Sequence, residues 1–290
     1  MFPQSLQYHV APMVTDLVKW IRDTCEPVFD VFNDVVLAML LQMEAGLTIV
    51  PWWVWIGLVT ILSWYITRHI GKTLTPALLL LTIGMFGLWD VAIETLSIII
   101  VAVIISLAAG IPAGILMAVS ERANTWFTPM LDAMQTMPSF VYLIPALMFF
   151  GLGKVPAVLA TFIYAVPPVQ RLTNLGIRQV SESVQEAALA FGATPWQLMR
   201  EVRLPLALPS ILAGVNQTTM MALAMVVICS MIGGGGIGEE VLKAVSQINV
   251  GKGFEAGWAI VVLAIVIDRI SQGIAQKWDI STKQASSNQA

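Results

Sequence analysis

Long apolar runs with almost no charged residues constrain the fold of this chain more than any other sequence feature. Ile98–Ile105 is one such run, and its unbroken apolar character does not fit the alternating pattern of an outer-membrane barrel strand. Only 11% of the 290 residues are charged, whereas a typical soluble domain has about 25%. Too few polar side chains remain to cover a water-facing surface. The sequence therefore predicts an all-α integral membrane protein built as a helical bundle.

Apolar stretches long enough to cross a bilayer recur along the chain, and each crossing needs about 20 residues. We expect about seven transmembrane spans, of which the second and fourth are short or interrupted. Pro167 and Pro168 are expected to end the fifth span, and Pro205 to open the sixth, where a missing amide costs little. The predicted spans are 50–67, 74–89, 92–119, 134–151, 154–170, 205–232 and 256–275.

Basic residues orient the predicted bundle, because Lys and Arg near the ends of spans favour the cytoplasmic side. With seven spans, ten of the 15 basic residues fall on one side and five on the other. This distribution places the N-terminus outside and the C-terminus in the cytoplasm. The larger set is Arg68, Lys72, Arg122, Arg171, Arg178, Arg200, Arg203, Arg269, Lys277 and Lys283, and the smaller set is Lys19, Arg22, Lys154, Lys243 and Lys252.

Residues 1–48 form a mixed, slightly acidic segment that we expect outside the cytoplasm. Their apolar residues recur at a helical spacing, which predicts an amphipathic helix on the membrane surface or packed as a strap against the bundle. We expect two accessory spans at 49–90, a core at 91–276 and a polar cytoplasmic tail at 277–290. The recurring apolar positions are Val28, Val31, Phe32, Val35, Val36 and Met39.

A compact polar stretch, residues 181–205, interrupts the apolar chain on the side predicted to be cytoplasmic. Gly192 stands where a short helix would need a left-handed residue to end. The stretch therefore predicts two short helices joined by a glycine turn, a hairpin exposed to water. Two residue pairs have the spacing of a capping box that starts a helix: Ser183 with Glu186, and Thr194 with Gln197.

The same stretch resembles the EAA motif of ABC importer permeases. That motif is Glu-Ala-Ala, three residues, Gly, nine residues and then Ile-x-Leu-Pro, and every spacing fits, with Val202 in place of the isoleucine. The alternative is an ordinary interfacial hairpin, but helix caps alone do not require Ala-Ala or Leu-Pro. The resemblance implies that a separate ATPase docks on Glu186, Ala187, Ala188, Gly192, Leu204 and Pro205.

Within that family, the chain looks like the glycine betaine/proline betaine permeases of bacterial inner membranes. The runs 135–142 and 232–238 carry this finer resemblance. It implies the transmembrane subunit of an ATP-driven importer for a compatible solute, with choline, another quaternary amine or an amino acid as alternatives. The implied partners are a cytoplasmic ATP-binding cassette subunit, an external substrate-binding protein, a second copy of the chain and membrane lipid.

A glycine run follows the predicted sixth span. A phosphate-binding loop is excluded, because no Lys-Ser/Thr follows the run and the carboxylates of Glu239 and Glu240 would repel phosphate. We expect a hinge, because successive glycines resist a fixed helix, and the family resemblance places such a segment near an outer gate. The candidate gate residues are Gly233, Gly234, Gly235, Gly236 and Gly238.

Other functional classes fit the sequence less well. A secondary transporter would usually carry buried ionisable residues and internal repeats, and neither is evident. The two histidines, His9 and His69, belong to no catalytic or metal-binding motif. We therefore expect no catalytic residue, no metal, no cofactor and no nucleic-acid partner, with ATP hydrolysed on a separate chain.

Overall fold

A computed structural model describes residues 11–278, and within this range every regular element is helical. The helices are α1 (Ala11–Ile49), α2 (Trp52–Thr67), α3 (Ile70–Met85), α4 (Trp89–Val119), α5 (Glu121–Thr136), α6 (Phe140–Phe150), α7 (Lys154–Arg178), α8 (Glu182–Ala190), α9 (Pro195–Gln197), α10 (Leu204–Cys229), α11 (Ile237–Ser246) and α12 (Val250–Trp278). π-Helical turns at Leu198–Arg203 join α9 to α10. Residues 279–290 of the tail predicted at 277–290 lie outside the described residues.

Four helices in the described range are long and apolar enough to cross a membrane. They are α4, α7, the helix that runs from Pro195 to Ile232, and α12. Counting each of two sharply bent helix pairs as one span, α1 with α2 and α5 with α6, brings the number to six. The helical membrane fold is thus confirmed, whereas the count of seven stays a prediction.

The centre of the bundle is formed by α4, α7 and α10, which approach closely at small residues. A Cβ on Gly114 of α4 would lie 2.6 Å from the Gln170 carbonyl oxygen of α7. On the other side of α7, a Cβ on Gly176 would lie 2.7 Å from the Ser210 side chain of α10. Small residues let the backbones of neighbouring helices approach closely. In lipid, where no hydrophobic effect drives helices together, the van der Waals packing at such contacts stabilises the bundle.

The fifth predicted span was wrong at its end, because α7 continues through Pro167 and Pro168 to Arg178. Both prolines are buried within the bundle. Proline removes a backbone donor and normally breaks a helix in water. In a membrane bundle, neighbouring helices and local adjustments compensate for the lost bond, so the helix persists.

The fourth predicted span, 134–151, is interrupted, as expected. The chain forms α5 and α6, which are bent by 101° relative to each other. Helix α5 ends at Thr136, just before Met137, because a residue that precedes a proline is pushed out of the helical region. Helix α5 begins at Glu121, where the Ser120 side chain accepts a hydrogen bond from the Ala123 amide.

Helix α1 lies at 90° to α2. Of the predicted apolar positions, Val36 is buried, whereas Val28 and Val31 are exposed. Helix α1 reaches α6 through stacked rings of Phe29 and Phe149, whose centroids are 4.7 Å apart. The perpendicular direction fits the predicted helix on the membrane surface, which stays a prediction.

Candidate functional site

The predicted hairpin, residues 181–205, is present, and the chain turns between its two helices at a left-handed glycine. Helix α8 stops at Ala190, and Gly192 has φ +86°, a conformation that suits glycine better than other residues. A Cβ at Gly192 would have no heavy atom within 4 Å. The conformation rather than the available space therefore makes glycine the favoured residue at this turn.

The predicted capping box of Ser183 and Glu186 was wrong. Helix α8 begins at Glu182 with Ser181 at the N-cap position, so Ser183 already lies in the first turn. Its hydroxyl is 2.8 Å from the Ser181 hydroxyl. The Glu186 carboxylate is exposed, and no partner for it is found among residues 11–278, so this charge is available to another protein.

The second capping box is confirmed. The Thr194 side chain accepts a hydrogen bond from the Gln197 amide, and Gln197 Oε1 accepts one from the Thr194 amide at 2.8 Å. The helix that starts here continues through the π-helical turns into α10 without a break. One arm of the hairpin is therefore continuous with the bundle helix α10.

The base of the hairpin is closed by side chains from both arms. The Arg203 guanidinium donates to Gln185 Oε1 from Nε at 2.9 Å and from Nη2 at 2.6 Å. Gln185 Nε2 in turn donates to the Val180 carbonyl at 2.7 Å. Buried Leu198 and Met199 anchor the second arm, so the base of the hairpin is fixed to the bundle.

Arg178 connects the start of the hairpin to the end of α4. Its Nη2 donates to the Met117 carbonyl at 2.8 Å, and its Nη1 contacts Glu121 Oε1 at 2.6 Å. Its Nε donates to Asn174 Oδ1 at 2.8 Å. The end of α7, just before the hairpin, is thus connected to α4 and α5.

The motif residues occupy one connected surface of the hairpin but differ in exposure. Glu186, Ala187 and Gly192 are exposed, and Ala188 is half-buried. Leu204 and Pro205 lie at the base and are half-buried, and Leu204 packs against a buried cluster that includes Met199. The structure therefore divides the motif into residues at the tip and residues that hold the base.

Two aromatic side chains at the tip were missed by the sequence interpretation. Phe191 is 94% exposed and Trp196 is 70% exposed, on either side of Gly192. Large aromatic residues that project into water commonly mark binding sites. Their place in an otherwise polar, water-facing stretch could have identified them in the sequence.

The candidate gate residues lie at the opposite end of α10. Gly233, Gly235 and Gly236 have positive φ angles of +80°, +75° and +75°. We call residues 233–236 the glycine loop. The Gly236 amide donates to Glu94 Oε2 at 3.0 Å, and the next amide, of Ile237, donates to Thr95 Oγ1 at 2.8 Å. The loop is thus held against the start of α4, and its role as a gate stays a prediction.

Gly238 differs from the other candidate gate residues, because it lies in α11 and is buried. A Cβ there would be 2.7 Å from Ser230 Oγ. Beyond it, Lys243 pairs with Glu239 at 3.0 Å and with Glu240 at 2.9 Å. The hydrogen bonds that the Lys243 ammonium donates to Glu240 and to Glu239 raise the pKa of Lys243. The acidic pair is therefore partly neutralised within its own helix.

The polar interruption in α10 contacts α12. Asn216 Nδ2 is 3.5 Å from Asp268 Oδ1, and Asp268 also accepts from Gln272 at 2.7 Å. The hydroxyl of Thr218 is buried without a protein partner in the described part of the chain. Asn216 thus joins two helices, as expected for polar residues within a membrane bundle.

This fold and this site define a class of protein: a helical membrane subunit that carries an exposed helical hairpin at one end of its bundle. Residues 110–279 match the model of the family described as binding-protein-dependent transport system inner membrane component, and the chain belongs to this family. The chain is therefore a transport subunit, as predicted, rather than an enzyme.

Curated relatives agree with this family. The chain is 43% identical to the glycine betaine transport system permease protein OpuAB of Bacillus subtilis, over 92% of this chain and 95% of that protein. It is 42% identical to the glycine betaine/proline betaine transport system permease protein ProW of Escherichia coli, over 91% of this chain and 74% of that protein. The predicted resemblance to such permeases is confirmed.

A solved structure shows the same fold. The inward-facing MetNI methionine ABC transporter matches with a TM-score of 0.61 at 22% identity, over 67% of this chain and 97% of that chain. An identity this low supports the fold alone. The helical permease architecture predicted from the sequence is therefore confirmed.

Proposed function

We propose that this chain forms the translocation path of an ATP-driven importer for a compatible solute such as glycine betaine or proline betaine. The names of the relatives support the solute class. The sequence similarity extends over most of the chain and is not confined to the motif. The chain would bind no nucleotide, and ATP would be hydrolysed on a separate cytoplasmic subunit.

One observation carries the coupling mechanism: the continuous helix from Pro195 to Ile232. Its 38 residues would extend about 57 Å at 1.5 Å per residue. One end forms an arm of the hairpin, and the other reaches the glycine loop. When an ATPase dimer closes and moves the hairpin, this helix carries the displacement to the candidate gate.

The tip of the hairpin supplies the contact with the ATPase. Phe191 and Trp196 offer apolar surface that a groove on the partner would bury, and the free Glu186 carboxylate offers a charge at its edge. An interface of this type has an aromatic centre and a polar rim. Gly192 keeps the turn between them tight.

The remaining partners and the orientation follow from the same proposal. The hairpin lies in the cytoplasm, as the distribution of basic residues indicates, with the C-terminus inside and the N-terminus outside. An external substrate-binding protein then delivers solute at the glycine-loop end. A second copy of the chain completes the path, and lipid surrounds the exposed apolar helices.

The experiment that tests this function is uptake into proteoliposomes containing the chain with its ATPase and binding protein. We expect uptake of radiolabelled glycine betaine that needs ATP on the ATPase side and persists when ionophores collapse ion gradients. Uptake of choline or an amino acid instead would retain the importer and change the solute. Uptake that follows an ion gradient without ATP would indicate a secondary transporter and contradict the proposal.

A further inference from the structure

Lys154, the first residue of α7, bridges two carboxylates from different helices. Its Nζ is 2.7 Å from Glu44 Oε2 of α1 and 2.8 Å from Glu94 Oε1 of α4. We call these three residues the Lys154 cluster. The paired residues are far apart in the sequence: Glu44 and Lys154 are separated by 110 positions. The cluster thus connects the N-terminal helix to two helices of the bundle centre.

The second oxygen of Glu94 extends the cluster to the glycine loop. Glu94 Oε2 accepts the hydrogen bond of the Gly236 amide, so the carboxylate joins Lys154 on one side and the loop on the other. The residue just before the loop is joined to the residue before Lys154, because the Gly153 amide donates to the Ile232 carbonyl at 3.2 Å. Glycines have no side chain of their own to fix the loop, so its contacts come from these neighbours.

The close approach of Glu94 and Thr95 explains two of the glycines. A Cβ on Gly235 would lie 2.5 Å from Glu94 Oε1, and a Cβ on Gly236 would lie 2.5 Å from Thr95 Oγ1. A larger residue at position 235 would push the Glu94 carboxylate away from its present position, and one at position 236 would displace Thr95. The geometry of the loop and the position of the carboxylate therefore depend on each other.

Charge makes Lys154 the controlling member of the cluster. The side chains of Lys154 and Glu94 are each only 25% exposed, and that of Glu44 is 32% exposed. Removing one partner of a partly buried ion pair leaves the other charge poorly solvated, which costs more than the pair gained. Without Lys154, two carboxylates would also face each other, and Glu94 would turn toward water and release the Gly236 amide.

We propose that Lys154 is a positioning residue, which holds the glycine loop through Glu94 and links α1 to the loop through Glu44. The transport consequence rests on the proposed function, in which the loop forms the outer gate. Opening the loop then requires either that α1 and the starts of α4 and α7 move with it, or that the ion pairs of Lys154 break.

The test is hydrogen–deuterium exchange of the complete transporter in lipid, comparing wild type with Lys154→Met. We expect amides of residues 233–237 to exchange at least about tenfold faster in the variant, since a hydrogen bond to a charged group is lost. Lys154→Arg should restore the wild-type rate. Lys243→Met is the matched control, because Lys243 also pairs with two glutamates but only within α11, and it should leave the loop unchanged.

Unchanged exchange at 233–237 in Lys154→Met would overturn the proposal, as would an equal increase in Lys243→Met. If Lys154→Met does not assemble, Glu94→Gln decides, because it removes the charge yet retains an amide oxygen as acceptor. It should show faster exchange of the loop than wild type, and no change would overturn the proposal.

Uptake measured on the same samples separates the two claims. Faster exchange with a changed maximal uptake rate would support both the positioning role and the gate. Faster exchange with unchanged uptake would support the positioning role, while showing that the loop is not the gate.

Discussion

The Arg203 guanidinium donates two hydrogen bonds to one oxygen of Gln185, at 2.9 and 2.6 Å, and so joins the two arms of the hairpin. The two residues are 18 positions apart in the chain. Below this contact the hairpin is anchored in the bundle, and above it the tip projects into water. The contact therefore holds the two arms of the hairpin together.

We predict that Arg203→Ala and Gln185→Ala reduce ATP-coupled uptake to a similar degree, because each breaks the same contact. Their double variant should lose little more than either single variant, since residues in one contact are not additive. Arg200→Ala, at an exposed position on the same segment, should retain uptake. Fully additive losses would show that the two residues act separately.

Phe191→Ala and Trp196→Ala should weaken binding of the ATPase subunit while leaving the membrane subunit as stable as wild type. Both side chains are exposed, so little folding energy depends on them, whereas aromatic residues often dominate an interface. We expect at least about tenfold weaker binding for each variant, measured by titration of the purified subunits. Val250→Ala, at an exposed site at the opposite end of the bundle, is the control and should bind normally.

Glu186→Ala should reduce coupling without lowering the melting temperature of the purified chain. The reason is that Glu186 caps no helix in the structure, and its carboxylate is exposed. Thr194→Ala, by contrast, removes an observed cap and should cost about 1 kcal/mol of local stability. A melting temperature lowered equally by both variants would contradict this difference.

Gly114→Ala should destabilise the bundle by about 1–3 kcal/mol through overpacking. The new methyl group would lie 2.6 Å from the Gln170 carbonyl oxygen, a distance that requires α4 and α7 to separate. Gly84→Ala is the matched control, since a Cβ there has nothing within 4 Å. Thermal unfolding in detergent should give a lower melting temperature for Gly114→Ala than for Gly84→Ala. Equal melting temperatures would contradict the close packing of α4 on α7.

The features that could be predicted from the sequence depend on local backbone geometry. The left-handed turn at Gly192 and the Thr194 capping box follow from which residues tolerate positive φ and which side chains reach nearby amides. The Ser183 cap failed because Ser181, two residues earlier, also fits an N-cap position. Local preference alone could not choose between these two serines.

The features that could not be predicted depend on the packing of distant segments. Helix α7 passes through Pro167 and Pro168 because its neighbours stabilise it. Glu94 lies at the start of α4, yet the Gly236 amide that donates to its carboxylate lies 142 positions away. No spacing along the chain encodes such a pairing, which exists only after α4, α7 and α10 assemble.

We propose that the hairpin couples this subunit to an ATPase. The most direct test compares ATP-dependent glycine betaine uptake by wild type, Gly192→Asn and Gly192→Asp in complexes of equal extractability. Asparagine tolerates positive φ, whereas aspartate adds a charge to the docking surface, so we predict uptake near wild type for Gly192→Asn and loss for Gly192→Asp. Full uptake by Gly192→Asp would contradict a coupling role for the hairpin and leave it as a structural element only.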